Sequence, residues 1–181
     1  AVLVLFFGDV QTKGLGGFFR DLLDLGDVLQ GLGDIVRRLD VERDGGPFLG
    51  EATQLGDARA AGAGFDWILI DTEHSPNDPP MVHMQLQAMM ESQTTPIVRV
   101  PWNDQVALKR VLDIGAQTVL IPFVQDAEEA SLAVAACKYP PEGTRGVATT
   151  IRANRFGRIK DYHKNANAQI CVLVQVETRS A

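Results

Sequence analysis

The chain has 181 residues, of which 45% are apolar and 22% are charged. This composition is typical of one soluble globular domain with a substantial core, and it excludes a disordered tail and a membrane protein. The net charge of −6 arises from 17 basic and 23 acidic residues, and no block of Lys and Arg stands out, which argues against a nucleic-acid partner.

The first 45 residues predict little regular structure. The opening AVLVLFFG is apolar over only seven residues and has no basic flank and no small-residue cleavage site. It therefore predicts neither a signal peptide nor a membrane span. One amphipathic helix is predicted near Asp27–Leu39, and residues 1–45 are treated as an atypical N-terminal segment without an assigned fold.

From residue 46 to residue 181, predicted strands alternate with predicted helices. Strands are expected at 67–71, 97–100, 118–124 and 170–177. Helices are expected at about 53–64, from Met81 to about Glu91, from about 104 to 115, over 127–138 and, as a short piece, near Asp161–Asn167. Asn103 or Asp104 and, further on, Asp126 are suitable N-caps, because their side-chain oxygens can accept from the first N–H groups of a helix.

The predicted strands are as apolar as strands that are buried on both faces. Runs such as WILI, TVLIPFV and CVLVQV are typical of parallel strands covered by helices. A (β/α) barrel and an open doubly wound sheet both fit this pattern. Because no G-x-G-x-x-G follows the first strand and no Walker-type loop occurs, the nucleotide-binding open sheets lose support.

The two cysteines indicate the compartment. Cys137 and Cys171 each lie within an apolar run, where a small buried hydrophobe is the ordinary interpretation. A reducing, cytoplasmic environment is the easier fit to so few cysteines.

Polar side chains occur where the predicted strands end. In a (β/α) barrel, the C-terminal ends of the strands form the face that carries the chemistry. The sequence therefore favours a barrel of the TIM type over an open sheet. The candidate site residues are Asp71, Glu73, His74, Arg99, Gln175 and Glu177.

Each candidate has a chemical and a structural interpretation. If Asp71 accepts a hydrogen bond from one ring nitrogen of His74, the other nitrogen can act as a base near neutral pH. Arg99, within a buried strand, must bind a substrate anion or form a structural ion pair. Glu73 is either a metal-associated acid or a loop charge, and Glu177 suits an oxygen-preferring cation such as Mg²⁺ or a salt bridge. A cation and an arginine together can stabilise an enolate oxygen, which favours a 2-oxo acid substrate.

Five segments between residues 46 and 181 carry this chemistry. They are GFDWILIDTEHSPND (64–78), PIVRVPWND (96–104), LKRVLDIGAQTVLIPFVQDAEEA (108–130), YPPEGTRGVA (139–148) and VLVQVET (172–178). Together they resemble the metal-dependent class II pyruvate aldolase family, which includes the 4-hydroxy-2-oxoheptanedioate and 2-keto-3-deoxy sugar acid aldolases and macrophomate synthase.

The resemblance implies a (β/α)₈ barrel that reversibly cleaves 4-hydroxy-2-oxo acids to pyruvate and an aldehyde, with Mg²⁺, Mn²⁺ or Co²⁺ as its cofactor. It implies that Glu177 is a metal ligand and that Arg99 holds the pyruvate and stabilises its enolate. It also implies that His74 and Asp71 form the dyad that moves the proton of the 4-hydroxyl group. Glu73 would support metal-bound water, and Gln175 would line the substrate pocket. Family members are hexamers, which implies a homo-oligomer if the full-length chain exists.

The chain departs from the family in its extent. The family's second metal ligand is an aspartate in a G-P-x-D-L-S segment, and no such segment occurs before Ala181. Strands six to eight are missing as well, and GPFLGE (46–51) stands at the place of strand one. We therefore expect a truncated barrel with about strands one to five that is not a competent aldolase by itself.

Two alternative functions follow from this departure. One is a catalytically incompetent barrel fragment that binds another chain through its open edges. The other is a related citrate lyase β-type enzyme acting on CoA thioesters, although the EHSPND segment after the second strand is better suited to the pyruvate aldolases. A G-P-x-D-L-S segment and three further βα units downstream of Ala181 would favour the enzyme.

Overall fold

The computed structural model describes residues 3–7, 48–49 and 60–178. The strands in this part of the chain are β1 (Leu3–Phe7), β2 (Phe48–Leu49), β3 (Trp67–Asp71), β4 (Thr95–Arg99), β5 (Thr118–Ile121) and β6 (Cys171–Val176). The helices are α1 (Pro79–Ala88), α2 (Gln105–Asp113), α3 (Ala127–Cys137), a 3₁₀ turn (Arg152–Asn154) and α4 (Tyr162–Gln169).

The strands form one sheet in the order β1-β6-β5-β4-β3-β2. Strands β2 to β6 are parallel to one another, as the alternation of strands and helices predicts. Strand β1 was not predicted, and it pairs antiparallel with β6, with Leu3 opposite Val176 and Phe7 opposite Val172. The α/β class is confirmed.

Strands β3 to β6 bury side chains on both faces of the sheet, because successive side chains point to opposite sides. Ile68 and Ile70 point toward the helices, where a large cluster includes Val82 of α1, Leu108 of α2 and Ala133 of α3. The opposite face, called the inner face below, carries a smaller apolar cluster. Its buried members are Trp67, Leu69, Ile97, Leu120 and Leu173.

Aspartates define the starts of the first three helices. Asp104 accepts from the N–H of Ala107 at 2.8 Å and Asp126 accepts from that of Glu129 at 2.8 Å, so these two N-caps are confirmed. Helix α1 begins two residues before the predicted Met81, because Pro79 and Pro80 occupy its first turn and Asp78 caps it. Proline is tolerated there since the first N–H groups have no partner within the helix.

Three predicted strands end earlier than expected, among them β6, which covers Cys171–Val176 instead of 170–177. Strand β5 ends at Ile121 instead of residue 124, because Pro122 offers no N–H and Phe123 adopts a left-handed backbone with φ of 55°. Strand β4 runs from Thr95 to Arg99 instead of over 97–100.

Some predictions lie outside the described residues. These are the helix near Asp27–Leu39 and most of the helix at 53–64, of which residues 60 and 61 are helical. The doubtful first barrel strand GPFLGE contains β2, which pairs parallel with β3. Within the described ranges, no helix is both long and apolar enough to cross a membrane.

Candidate active site

Charged residues lie at the C-terminal edge of the inner face of the sheet. Asp71 is the last residue of β3, Arg99 is the last residue of β4, and the strand register pairs them directly. Both continue the alternation that places Leu69 and Ile97 on the inner face. The sheet register therefore forces a carboxylate and a guanidinium side by side at the C-terminal edge.

Asp71 and Arg99 form a two-pronged ion pair. Arg99 Nε donates to Asp71 Oδ1 at 2.9 Å, and Arg99 Nη2 donates to Asp71 Oδ2 at 2.8 Å. The two residues are only 3% and 9% exposed, so water cannot replace either partner. This geometry fixes the plane of the guanidinium.

Asp71 also accepts from the main chain of the loop that follows it. The N–H groups of Glu73 and His74 lie 3.0 and 3.4 Å from Oδ1, and the Ser75 hydroxyl lies 3.5 Å from Oδ2. Burial alone would raise the pKa of Asp71, but the bonds from Arg99 and from these N–H groups outweigh burial and lower it. Asp71 is therefore a fixed anion at neutral pH.

The pKa of Arg99 moves in the opposite direction. The hydrogen bond to Asp71 raises it, burial opposes this rise, and the charges of Asp71, Glu73 and Glu177 add to it. The contribution of Glu177 shows that the end of β6 lies within the electric field of Arg99.

The structure corrects the predicted contact between Asp71 and the ring of His74. Both oxygens of Asp71 are directed at Arg99 and at main-chain N–H groups, whereas Nε2 of His74 lies 3.5 Å from Oε1 of Glu73. The His74 side chain is 72% exposed. Thus Asp71 positions Arg99, and among the described residues Glu73 is the carboxylate at ion-pair distance from the imidazole.

Two buried oxygens at this edge accept no hydrogen bond from the described residues. Glu73 Oε2 lies 3.2 Å from Arg99 Nη1, at ion-pair distance but without hydrogen-bond alignment. Gln175, near the end of β6, is 7% exposed, and its Oε1 is also without a donor. Buried acceptors are usually satisfied in proteins, so these two indicate a place for a ligand, an ion or water.

Three further polar residues hold the site together, and the sequence did not predict this positioning role for them. Thr72 donates both its N–H and its hydroxyl to the carbonyl of Arg99, at 3.0 and 2.6 Å. Asn77 donates to the carbonyl of Asp71 at 2.7 Å and accepts from the buried Gln85 of α1 at 3.3 Å. The one signal for this role in the sequence was Gln85 on the apolar face of a predicted helix, because a buried amide needs hydrogen-bond partners.

The donors at this edge suit a divalent cation that prefers oxygen. Glu177 is an exposed carboxylate next to the site, and the unsatisfied oxygens of Glu73 and Gln175 are of the same hard donor type. Within the described part of the chain, no group of three or more His, Cys, Asp or Glu side chains is placed to hold a metal ion. The type of donor fits such an ion, with Glu177 as a candidate ligand, but the described residues do not complete a metal site.

Comparison with known proteins gives a consistent assignment. Residues 46–181 match the family model of the HpcH/HpaI aldolase/citrate lyase group. The chain is 53% identical over 137 residues to a 4-hydroxy-2-oxo-heptane-1,7-dioate aldolase of Klebsiella pneumoniae subsp. pneumoniae, covering 75% of this chain and 52% of that protein. The corresponding aldolase of Salmonella dublin is 54% identical with the same coverage.

Solved structures of similar proteins share the fold. A HpcH/HpaI aldolase/citrate lyase family protein from Burkholderia cenocepacia matches with a TM-score of 0.69 and 39% identity, over 70% of this chain and 52% of that chain. Macrophomate synthase matches with a TM-score of 0.58 and 26% identity, over 79% of this chain and 50% of that chain. This chain thus spans about half the length of the curated relatives it matches, which is consistent with the predicted partial barrel.

Proposed function

Since this chain belongs to the HpcH/HpaI aldolase/citrate lyase family, we propose that its charged edge is the 2-oxo acid site of a carbon–carbon lyase. The proposed reaction is the reversible cleavage of a 4-hydroxy-2-oxo acid to pyruvate and an aldehyde. The observation that supports this most is the buried Arg99, which two hydrogen bonds to Asp71 hold in one plane at the end of its strand. A fixed guanidinium is a suitable partner for a carboxylate and an enolate oxygen.

Each residue has a role that its position supports. Arg99 binds the oxygen atoms of the 2-oxo acid, and Asp71 is the positioning residue that orients Arg99. Gln175 offers its buried Oε1, which can accept a hydrogen bond from a substrate hydroxyl. His74, exposed and next to Glu73, accepts the proton of the 4-hydroxyl group.

In the cleavage step, the C3–C4 bond breaks as the 4-hydroxyl proton moves to His74. The electron pair of that bond passes to the 2-oxo group, which becomes the enolate held at Arg99, and the C4 fragment leaves as the aldehyde. The enolate then takes up a proton at C3 to give pyruvate, and this proton balances the one that His74 has accepted and releases. Glu177, with Glu73 behind it, would hold Mg²⁺, Mn²⁺ or Co²⁺, and the bound ion would polarise the 2-oxo group as a Lewis acid.

Binding tests the proposed site separately from turnover. Calorimetric titration of the chain with pyruvate, with and without Mg²⁺, should show binding. Arg99→Lys should weaken this binding at least about tenfold, because an ammonium group cannot form the paired hydrogen bonds of a guanidinium. Arg110→Lys, on the exposed side of α2, is the matched control and should bind pyruvate as wild type does. Equal loss in both variants, or no pyruvate binding by wild type under either condition, would contradict the proposal.

Turnover of the chain is a separate question. Metal-dependent pyruvate release from a 4-hydroxy-2-oxo acid can be followed with lactate dehydrogenase. The expectation from the sequence is that this chain alone turns over far more slowly than a full-length relative. A comparable rate would refute that expectation while supporting the site. His74→Ala in an active chain should reduce cleavage and spare metal binding, whereas loss of both would make His74 a ligand or a structural residue.

A further inference from the structure

Two aromatic side chains lie together at the edge that carries the candidate site. Trp102 follows the end of β4 by three residues, and Phe123 follows the end of β5 by two. Their ring centroids are 5.5 Å apart with 32° between the ring planes. The indole is 54% exposed and the phenyl ring beside it is half-buried, so the pair presents part of its apolar surface to solvent.

Main-chain hydrogen bonds attach both aromatic loops to the strands of the site. The N–H of Val100, directly after Arg99, donates to the carbonyl of Leu120 at 3.0 Å. The N–H of Val124, directly after Phe123, donates to the carbonyl of Gln175 at 3.0 Å. Trp102 therefore lies in the loop that leaves Arg99, and Phe123 lies between the ends of β5 and β6.

The pair is held in place by the first turn of α3. Asn103 donates to the carbonyl of Glu129 at 3.2 Å, and Glu129 Oε2 accepts from the N–H of Gln125 at 2.9 Å. One residue thus fixes the loop beside Trp102 and the loop beside Phe123. The wall that the two rings form is consequently part of the scaffold.

The backbone at Phe123 is strained. Its φ of 55° is a left-handed conformation that costs an L-residue with a side chain on the order of 1–3 kcal/mol, and such residues concentrate at functional sites. A large apolar ring in a conformation that favours glycine, stacked on a half-exposed indole, has no evident benefit for folding. Phe156 shares the left-handed backbone and is exposed, so what distinguishes Phe123 is its place beside Trp102 at the strand ends of the candidate site.

We propose that Trp102 and Phe123 form an apolar wall that contacts the carbon chain of the aldehyde half of the substrate. This inference rests on the proposed function, since it assumes that the reacting atoms lie at Arg99 and Gln175. Its consequence is a preference for 4-hydroxy-2-oxo acids whose C4 substituent is a hydrocarbon over those with a polyhydroxyl chain, because only the former gains by leaving water.

Tryptophan fluorescence tests the wall without requiring turnover. The chain has two tryptophans, and Trp67 is buried at 5% exposure. The variant Trp67→Phe leaves Trp102 as the reporter. Titration with butanal should change its emission saturably, with an affinity about tenfold higher than that for glyceraldehyde, since a few apolar contacts discriminate by 10- to 200-fold.

Phe123→Gly in the same background removes one ring and leaves a residue for which the left-handed backbone is favourable, so loss of folding is not the expected result. It should weaken butanal binding about tenfold and leave glyceraldehyde binding unchanged. Phe156→Gly is the matched control, because Phe156 is also left-handed, with φ of 57°, and 60% exposed, but lies between the 3₁₀ turn and α4. Phe156→Gly should leave both titrations unchanged.

The proposed wall would be contradicted by any of three results: equal affinities for the two aldehydes, an equal effect of the two Phe→Gly variants, or Trp102 emission that does not change. These outcomes are separable from failure of the proposed function. Selective butanal binding by a chain that does not bind pyruvate would contradict the aldolase site and retain the wall. Pyruvate binding that Arg99→Lys weakens, with no aldehyde preference, would retain the site and contradict the wall.

Discussion

Replacing Asp71 with Asn tests whether the ion pair to Arg99 is the structural basis of the site. The substitution keeps the size of the side chain and removes its charge, so the buried guanidinium loses both charged acceptors. Removing one partner of a buried pair costs about 3–5 kcal/mol. Glu73 remains 3.2 Å from Arg99 Nη1. We therefore expect the lower end, a loss of about 3 kcal/mol in the free energy of unfolding.

Urea unfolding followed by circular dichroism measures this loss. Asp66→Asn is the matched control, because Asp66 is exposed just before β3, and it should change stability by no more than about 0.5 kcal/mol. Arg99→Met supplies the second arm of a double-mutant cycle. The double variant should be more stable than the sum of the single losses predicts, by at least about 2 kcal/mol. Additive losses would refute a direct interaction.

The pH dependence of the same measurement has a definite sign. The folded state holds the pKa of Asp71 below its ordinary value of 3.8, so the stabilisation by ionised Asp71 is complete well above that value. It is lost as the pH falls below 3.8 through the lower folded pKa. The difference between wild type and Asp71→Asn should be constant from about pH 5 to 8 and shrink below about pH 4. A difference that disappears near neutral pH would contradict this assignment.

Three further predictions concern the N-cap of α3, the close packing of Gly143 and the two cysteine thiols. Asp126→Ala removes the N-cap of α3 and should cost about 1 kcal/mol in urea unfolding. Gly143→Ala would force a Cβ against two carbonyl oxygens and should lower stability by about 1–3 kcal/mol, whereas Gly146→Ala, with one ordinary contact at 3.4 Å, should be nearly neutral. Burial raises the pKa of Cys137 to about 12 and that of Cys171 to about 11, so iodoacetamide at about pH 8 should label neither thiol until urea unfolds the chain, as mass spectrometry would show.

The strands of the central sheet were predictable because their apolar runs are continuous. Trp67–Asp71 has the predicted bounds, and the starts of α2 and α3 follow from aspartates that were recognised as caps. The ends of strands were less predictable. At Phe123 the left-handed backbone ends β5, and no propensity of phenylalanine indicates that conformation.

The N-terminal strand could not be predicted at all. Its five apolar residues have no alternation and no turn that joins them to a neighbour, so their partner lies far away in the sequence. Pairing of β1 with β6 joins the two ends of the described chain, and a contact over that sequence distance leaves no local pattern.

The residues that form the site were predictable from the strand ends, whereas the ion pair within the site was not. Asp71 precedes His74 by three residues, which suggests a local dyad. Strand register instead aligns Asp71 with Arg99, 28 residues further on. A buried guanidinium that must be neutralised outcompetes an exposed imidazole for the carboxylate, because the former has no water to solvate it.

The charge of the site explains why a cation and a 2-oxo acid belong together in the proposed reaction. Asp71, Glu73 and Glu177 contribute three negative charges and all act on the single guanidinium of Arg99, which leaves a formal charge of −2 at neutral pH. An anionic substrate entering such a cluster meets net repulsion, and Arg99 is already engaged by Asp71. A divalent ion at Glu177 would offset that excess before any chemistry occurs. The proposed metal would thus act first on substrate affinity, and Asp71 would keep Arg99 oriented while Glu73 and Glu177 supply the charge that the metal requires.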